Sequence, residues 1–260
     1  MSDATGSAAA NAGGPVEAAS FEAFKEAAAG DLELFAGLHD REPTAATIEA
    51  VQLCPIERQL GLVMQSDAGK AAVAAFALAV DALPKPITQM ALDDLAAGFA
   101  DVYLRHTYRA SPSESVWMTE DNMEQQAPMF ETREWYRRHD LVVDDWAKRP
   151  DDHLVIQLRF VAHAIAHAKS PADLADTANF LDSHLMLWIK KFAIQLVRSG
   201  APEWYAAIAI LTASYIDELR DHLTALSGVV RPKPAPAPKG KAKPQEAEER
   251  PYVPGVAPSW

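Results

Sequence analysis

The chain has 260 residues, of which 49% are hydrophobic and 23% charged, so it can bury a sizeable core and is not collagen-like, coiled-coil or wholly disordered. Its longest nearly uncharged apolar run, residues 71–80, is far shorter than the ~20 residues of a membrane-spanning helix, so we expect no stable membrane insertion. The formal net charge of −12 disfavours nucleic acid as a partner, and one cysteine, Cys54, excludes an internal disulfide and a multi-cysteine metal centre.

Two end segments differ in composition from the rest of the chain. Residues 1–18 are mostly Ala, Gly, Ser and Asn, which predicts a disordered lead-in. They lack the positive start and apolar stretch of a secretory signal, so we expect a cytoplasmic protein. Residues 228–260 contain eight prolines and predict a flexible Pro/Lys-rich tail. Residues 19–227 are expected to form one domain, and the chain up to residue 227 has a net charge of −15, which favours basic partners.

Helical spacing of apolar residues runs through almost all of this domain. Phe21, Phe24, Leu32 and Phe35 recur at helical intervals, with a break expected at Gly30-Asp31. No alternating strand pattern of useful length is present, so the sequence predicts an all-α, single-domain helical bundle. Capping residues and first-turn prolines mark further helix starts at Asp67, Thr88, Pro128, Pro150, Ser170 and Pro202.

One long polar segment, residues 109–127, interrupts the helical pattern around Trp117. A loop of this length inside a helical domain is usually functional or disordered, and exposing a tryptophan in a disordered loop is unfavourable. We therefore expect an ordered loop that packs on the domain. Many carboxylates accompany the aromatic residues in this region, which suits a peptide with a basic end and an apolar stretch, although ordinary packing also explains the aromatics.

Two histidines lie one helical turn apart, at His163 and His167. This spacing allows two metal ligands, and His184 is a candidate for the third. The glutamate that zincins place after the first histidine is absent, because Ala164 stands there. The surrounding alanines favour a close helix contact with histidines at its margin, so we predict no bound metal.

The pair Asp152-His153 places a carboxylate beside an imidazole at a predicted helix start. As a catalytic dyad it lacks a recognisable nucleophile. The structural alternative is that Asp152 caps the helix while His153 packs locally.

Motifs at three places together resemble one family. They are Ser-Glu-Ser-Val-Trp at 113–117, Glu-Gln-Gln-Ala-Pro-Met-Phe at 124–130 and Pro-Asp-Asp-His-Leu at 150–154. With these motifs the chain resembles the TorD/DmsD/NarJ family of molybdoenzyme maturation chaperones over about residues 30–227. Where family members often carry a glutamate in the turn after the histidine, this chain has Gln157-Leu158, which leaves the subfamily and the client open.

The resemblance implies a cytoplasmic, non-enzymatic, TorD-like helical chaperone without a cofactor. Its partner would be the apo form of a molybdopterin-dependent oxidoreductase of the DMSO reductase family, together with the twin-arginine signal peptide of that enzyme. Such a chaperone assists cofactor insertion and delays export. The peptide-binding residues implied by the matching motifs are Trp117, Glu114, Val116, Asp152 and His153, with Tyr103 and Leu104 in the preceding helix as further candidates.

Two other functions remain open at the level of sequence. One is a helical metalloenzyme built on His163, His167 and His184. The other is a general protein-interaction adaptor whose Pro-rich tail binds the partner. Both monomer and homodimer are compatible with the helical pattern, since helix exchange between protomers would satisfy it equally well.

Overall fold

The computed structural model describes residues 15–233, and these residues are helical along most of their length. No strand occurs among them, which confirms the predicted all-α fold. Within the described residues there is also no helix of the length and apolarity needed to cross a membrane. The helices are α1 (Pro15–Asp40), α2 (Ala45–Leu53), α3 (Ile56–Gln59), α4 (Asp67–Asp81), α5 (Gln89–Phe99), α6 (Glu114–Met118), α7 (Ala127–Arg138), α8 (Leu154–His167), α9 (Leu174–Ser183), α10 (Leu185–Arg198) and α11 (Glu203–Ser227).

Side-chain caps explain where several helices begin. Ser66 accepts a hydrogen bond from the Gly69 N–H at the start of α4, and Thr88 accepts one from the Ala91 N–H at the start of α5. Each cap satisfies a backbone donor that has no partner inside the helix. At the other end of the domain, α11 ends at Gly228, whose φ of +75° is the left-handed conformation that glycine adopts at low cost.

The first helix is longer than the sequence suggested. The predicted break at Gly30-Asp31 is wrong, because α1 continues through both residues. Asp31 does not start a new helix; its buried carboxylate accepts hydrogen bonds from the Gly61 N–H (2.6 Å), the Leu62 N–H (2.9 Å) and the Tyr215 hydroxyl (3.0 Å). The helix begins at Pro15, inside the segment predicted as a lead-in, and residues 1–14 lie outside the described residues.

The helical segment predicted to start at Ser170 is divided. Residues Pro171–Asp173 form a 3-10 turn with a capping box, α9 follows, and the chain bends at His184 before α10. His184 has φ −131° and ψ −89°, which are not helical values. This bend directs the His184 side chain into the interior, where it is almost fully buried.

The core lies between the long helices. α11 packs against α4, α9 and α10, while α1 packs along α8. Large side chains that are completely enclosed fill the space between them, among them Trp188, Phe192, Tyr205 and Tyr215. The chain divides into two compact units, Met1–Val230 and Arg231–Trp260, and most of the predicted tail (residues 234–260) lies outside the described residues.

Candidate functional site

The polar segment 109–127 is ordered and packs on the start of α8, as the sequence predicted. Ser113 and His153 form an isolated antiparallel bridge. On either side of it, the Glu114 N–H donates to the Asp152 carbonyl oxygen (3.1 Å) and the Leu154 N–H donates to the Pro112 carbonyl oxygen (2.8 Å). The two motifs that carried the family resemblance are therefore joined by backbone hydrogen bonds.

Asp152 connects the same two motifs through its side chain. Its Oδ2 accepts hydrogen bonds from the Ser115 N–H (2.7 Å) and the Ser115 hydroxyl (2.5 Å), at the first turn of α6. The side chain is fully buried, and burial raises the pKa of this carboxyl above its usual range. Asp152 therefore holds α6 in place and does not face solvent, and it is not the cap of α8.

His153 is the residue that caps α8. Its Nδ1 accepts a hydrogen bond from the Val155 N–H at 3.1 Å, so Nδ1 carries no proton and the neutral ring has its proton on Nε2. Burial, together with the smaller effect of the nearby positive charge of Arg149, lowers the pKa of His153 to about 3. His153 is thus a neutral donor at neutral pH, and the expectation that Asp152 caps this helix is wrong.

Glu114 lies in a buried polar network that links four helices. Its carboxylate accepts from the Gln157 side-chain amide (2.6 Å) and contacts His184 Nδ1 (3.1 Å). Gln157 in turn accepts from the Trp188 indole N–H at 3.3 Å. Burial raises the pKa of Glu114, whereas its hydrogen bond with His184 acts in the opposite direction. Glu114 is 2% exposed, so its role is to fix α6 against α8 and α10.

A pocket of about 220 Å³ lies beside this junction, between α1, α5 and the start of α8. Three of the predicted residues, Tyr103, Leu104 and His153, line it. Tyr103 and Leu104 belong to a π-helical turn, Ala100–Leu104, that continues α5. Within this turn Tyr103 points into the core, whereas Leu104 is 69% exposed.

Tyr103 is held in the pocket wall by a chain of buried hydrogen bonds. The Thr212 hydroxyl donates to the Ile208 carbonyl oxygen (2.8 Å), so it accepts from His39 Nε2 (2.9 Å). His39 Nδ1 is then the acceptor for the Tyr103 hydroxyl at 2.6 Å. Burial lowers the pKa of His39 to about 3, which keeps the ring neutral.

The pocket contains two carboxylates that differ in their partners. Asp40 accepts hydrogen bonds from Arg149, Arg41 and Arg159. Burial alone would raise the pKa of Asp40, but these three cations outweigh it and lower the pKa to about 2. Glu124 accepts a hydrogen bond from the Ser111 hydroxyl (3.1 Å), has His106 Nδ1 at 3.8 Å from its Oε1 and is 40% exposed. It forms no ion pair with an arginine or lysine of the described residues, so it is the carboxylate that remains available to an incoming cation.

Val116 and Trp117 lie apart from the pocket lining, on α6. Both are partly buried, and the Trp117 indole N–H donates to the Ser111 carbonyl oxygen at 2.8 Å. Ser111 thus joins Trp117 to Glu124. The segment that carries these residues has left-handed backbone at His106 (φ +50°) and Arg109 (φ +52°), a conformation that costs non-glycine residues energy and persists only where the surroundings impose it.

Comparisons with known proteins support the motif resemblance. The family described as nitrate reductase delta subunit matches residues 66–193. The protein named chaperone protein TorD of Vibrio cholerae is 32% identical over 133 residues, which cover 48% of this chain and 60% of that protein. The chaperone protein TorD of Vibrio vulnificus is 27% identical over 203 residues, which cover 74% of this chain and 93% of that protein. Over these residues the chain is similar to the TorD family.

The chain thus spans about three-fifths of the Vibrio cholerae relative that it matches. Both relatives are named chaperones, a non-catalytic role, which agrees with the prediction that the chain is not an enzyme. The name chaperone protein TorD describes the two Vibrio proteins.

The ligand set of the metalloenzyme alternative, His163, His167 and His184, is not assembled in the described part of the chain. The rings of His163 and His167 stack at 3.9 Å between centroids, but His184 is turned towards Glu114 at the other side of α8. Among residues 15–233, no group of three or more His, Cys, Asp or Glu side chains has an arrangement that could hold a metal ion.

Sequence reasoning missed His39 and Arg149 and did not distinguish Glu124 from its neighbours. His39 is 64 positions away from Tyr103, and nothing in the local pattern of α1 marks it. Glu124 was one of several acidic residues near the aromatic cluster. A signal that separates it from the others exists only in the fold, where Ser111 brings it to the pocket.

Proposed function

We propose that this protein is a cytoplasmic maturation chaperone for a molybdoenzyme of the DMSO reductase family. It binds the twin-arginine signal peptide, the apo form of that enzyme or both, assists cofactor insertion and delays export. The observation that carries the proposal is similarity to the TorD family, with relatives named chaperone protein TorD.

The pocket offers complementary chemistry for the basic end of such a peptide. Glu124 has a carboxylate that no arginine of the described chain occupies, and a guanidinium pairs well with a carboxylate in a two-point contact. The His153 Nε2–H is a donor for a peptide carbonyl oxygen. Exposed Leu104 and the partly buried Val116 and Trp117 supply apolar surface for the segment that follows the arginines.

Asp152 and Glu114 have a different part in this proposal. Both are buried and already hydrogen-bonded, so they position α6 and the pocket wall and do not contact the peptide. The excess of acidic residues over the chain up to residue 227 speeds the encounter with a cationic peptide.

The test is calorimetric titration with the twin-arginine signal peptides of the host's molybdoenzymes, each paired with a twin-lysine control. Glu124→Gln should weaken binding of the native peptide about tenfold or more, since a hydrogen bond to a charged group contributes ~1.5–3 kcal/mol. Asp121→Asn, an exposed acid in the same loop, is the matched control and should bind like the wild type. Equal loss in both variants, or no binding of any peptide by folded protein, would refute the proposed site.

Removal of residues 234–260 distinguishes the proposed chaperone function from the adaptor alternative. The described domain contains every residue assigned to the peptide, so the truncated protein should keep its affinity for the signal peptide. If the affinity disappears with the tail, the Pro-rich segment is the binding element and the adaptor alternative is correct.

A further inference from the structure

α10 has an exposed face of mixed apolar and basic character. Leu187, Ile194 and Val197 are between 39% and 51% exposed on this face. Lys190, Lys191 and Arg198 lie between them. At 100° per residue these six positions fall within an arc of about 120°, and they extend for ~16 Å along the helix axis. We call these six residues the α10 stripe.

The α10 stripe is basic, whereas the chain up to residue 227 has a net charge of −15. None of its three cations forms an ion pair with another described residue, whereas Arg149, Arg159 and Arg220 are each paired with an aspartate. Lys191 extends along Met118 of α6, with 3.9 Å between Nζ and the sulfur. The α10 stripe thus combines three aliphatic side chains with three cations that have no ion-pair partner among the described residues.

A groove of about 250 Å³ runs beside the stripe, between α10 and α11. Its lining is largely aliphatic and includes Ile189, Ala193, Ile210 and Ala213, with Lys190 on one side and Asp217 on the other. The aliphatic lining suits apolar side chains from a partner, and the groove shares Lys190 and Ile194 with the α10 stripe.

We propose that the α10 stripe and this groove bind an acidic amphipathic helix of about three turns from a protein partner. Apolar side chains of such a helix would enter the groove, and its carboxylates would pair with Lys190, Lys191 and Arg198. A cationic twin-arginine segment is excluded from this surface by like charge. The surface is therefore distinct from the pocket lined by His153 and Glu124.

The structure favours a protein partner over a membrane. The opposite face of α10 is formed by Trp188, Phe192 and Leu196, all fully buried, so the helix cannot leave the domain to enter a bilayer. The three cations would attract an anionic bilayer only weakly. The chain up to residue 227 has a net charge of −15, which would repel such a bilayer.

The test uses a synthetic, fluorescein-labelled amphipathic peptide with leucines on one face and glutamates beside them. Two control peptides have lysine in place of glutamate or the same composition in scrambled order. Fluorescence anisotropy should show at least tenfold tighter binding of the acidic amphipathic peptide than of either control, with an affinity that falls as salt rises. Equal binding of the three peptides would overturn the proposal.

Charge reversal locates the binding surface. Lys190→Glu, Lys191→Glu and Arg198→Glu in one protein should weaken binding of the acidic peptide at least tenfold. A control protein with Arg58→Glu, Arg138→Glu and Lys169→Glu has the same net charge and should lose much less. Similar losses in the two triple variants would mean that net charge alone drives binding and would overturn the proposal.

Two further measurements distinguish other occupants and the signal-peptide site. Flotation of the wild-type protein with anionic vesicles, lost in the α10 triple variant, would overturn the proposal in favour of a membrane. A dimer in sedimentation equilibrium that Ile194→Asp dissociates would overturn it in favour of a second copy. Affinity for the twin-arginine peptide should be unchanged in the α10 variant; a parallel loss would show that the two surfaces are not separate.

Discussion

His153 makes the stability of this domain depend on pH in a way that can be calculated. Burial lowers the pKa of His153 to about 3 in the folded protein, from the ordinary value near 6.5 in the unfolded chain. As the pH falls below 6.5, the unfolded chain binds a proton that the folded protein excludes, so stability is lost until the pH reaches about 3. At ~1.4 kcal/mol per pH unit, this residue costs about 2 kcal/mol of stability between pH 7 and pH 5.

His153→Asn isolates this contribution. Asparagine is a good N-cap and can accept from the Val155 N–H, but it does not titrate. The free energy of unfolding, measured with guanidinium at pH 7 and at pH 5, should therefore decrease less in the variant than in the wild type, by about 2 kcal/mol. Other titrating groups, including His39 with the same sign and Glu114 and Asp152 with the opposite sign, are present in both proteins and cancel in the difference.

Any stability that the variant loses because asparagine is smaller than histidine also cancels in this difference, because that loss is the same at both pH values. Thr88→Asn, which replaces the non-titrating cap of α5 by another non-titrating cap, is the matched control and should leave the pH dependence as in the wild type. Parallel stability curves for His153→Asn and the wild type would refute the assignment of His153 as a buried neutral cap.

Two substitutions away from the site test the packing. Asp182→Asn should lower the unfolding free energy by about 3–5 kcal/mol, because it removes the counter-charge of Arg220, a fully buried guanidinium bound in a two-point contact at 2.9 and 2.6 Å. Asp145→Asn, in the exposed pair with Lys148, is the control and should have a much smaller effect; equal losses in the two variants would contradict the prediction. Gly98→Ala should destabilise the protein by about 1–3 kcal/mol relative to Gly37→Ala, as measured by denaturant unfolding. The new Cβ at position 98 would lie 2.9 Å from the Tyr205 ring, whose hydroxyl donates to the Leu95 carbonyl oxygen at 2.5 Å, whereas a Cβ at position 37 would meet open space. If Gly37→Ala were the more destabilising change, the contact between Gly98 and Tyr205 would be able to relax.

The sequence by itself determined the helical fold and the order of its elements. Helical spacing and local capping act within one or two turns, so helix starts at Asp67, Thr88 and Pro202 could be predicted from neighbouring residues alone. The cap of α4 is Ser66, one residue before the predicted Asp67. The motifs at 113–117 and 150–154 carried the family resemblance, whereas the contact between α6 and the start of α8 was not among the sequence predictions. The reason is that each helix start and each motif is contained in a short stretch of chain, whereas this contact joins two separate stretches.

The tertiary structure decided the roles of the individual side chains. Asp31 was expected to break a helix and instead accepts hydrogen bonds from residues 61 and 62, and Asp152 was expected to cap α8 but binds Ser115, 37 positions earlier. His153 took the cap because Asp152 was engaged elsewhere. Contacts between distant segments decide whether a carboxylate is buried, is neutralised by arginine or, like Glu124, remains available. Burial and the pairing of charges follow from those contacts, and no local pattern of residues contains them.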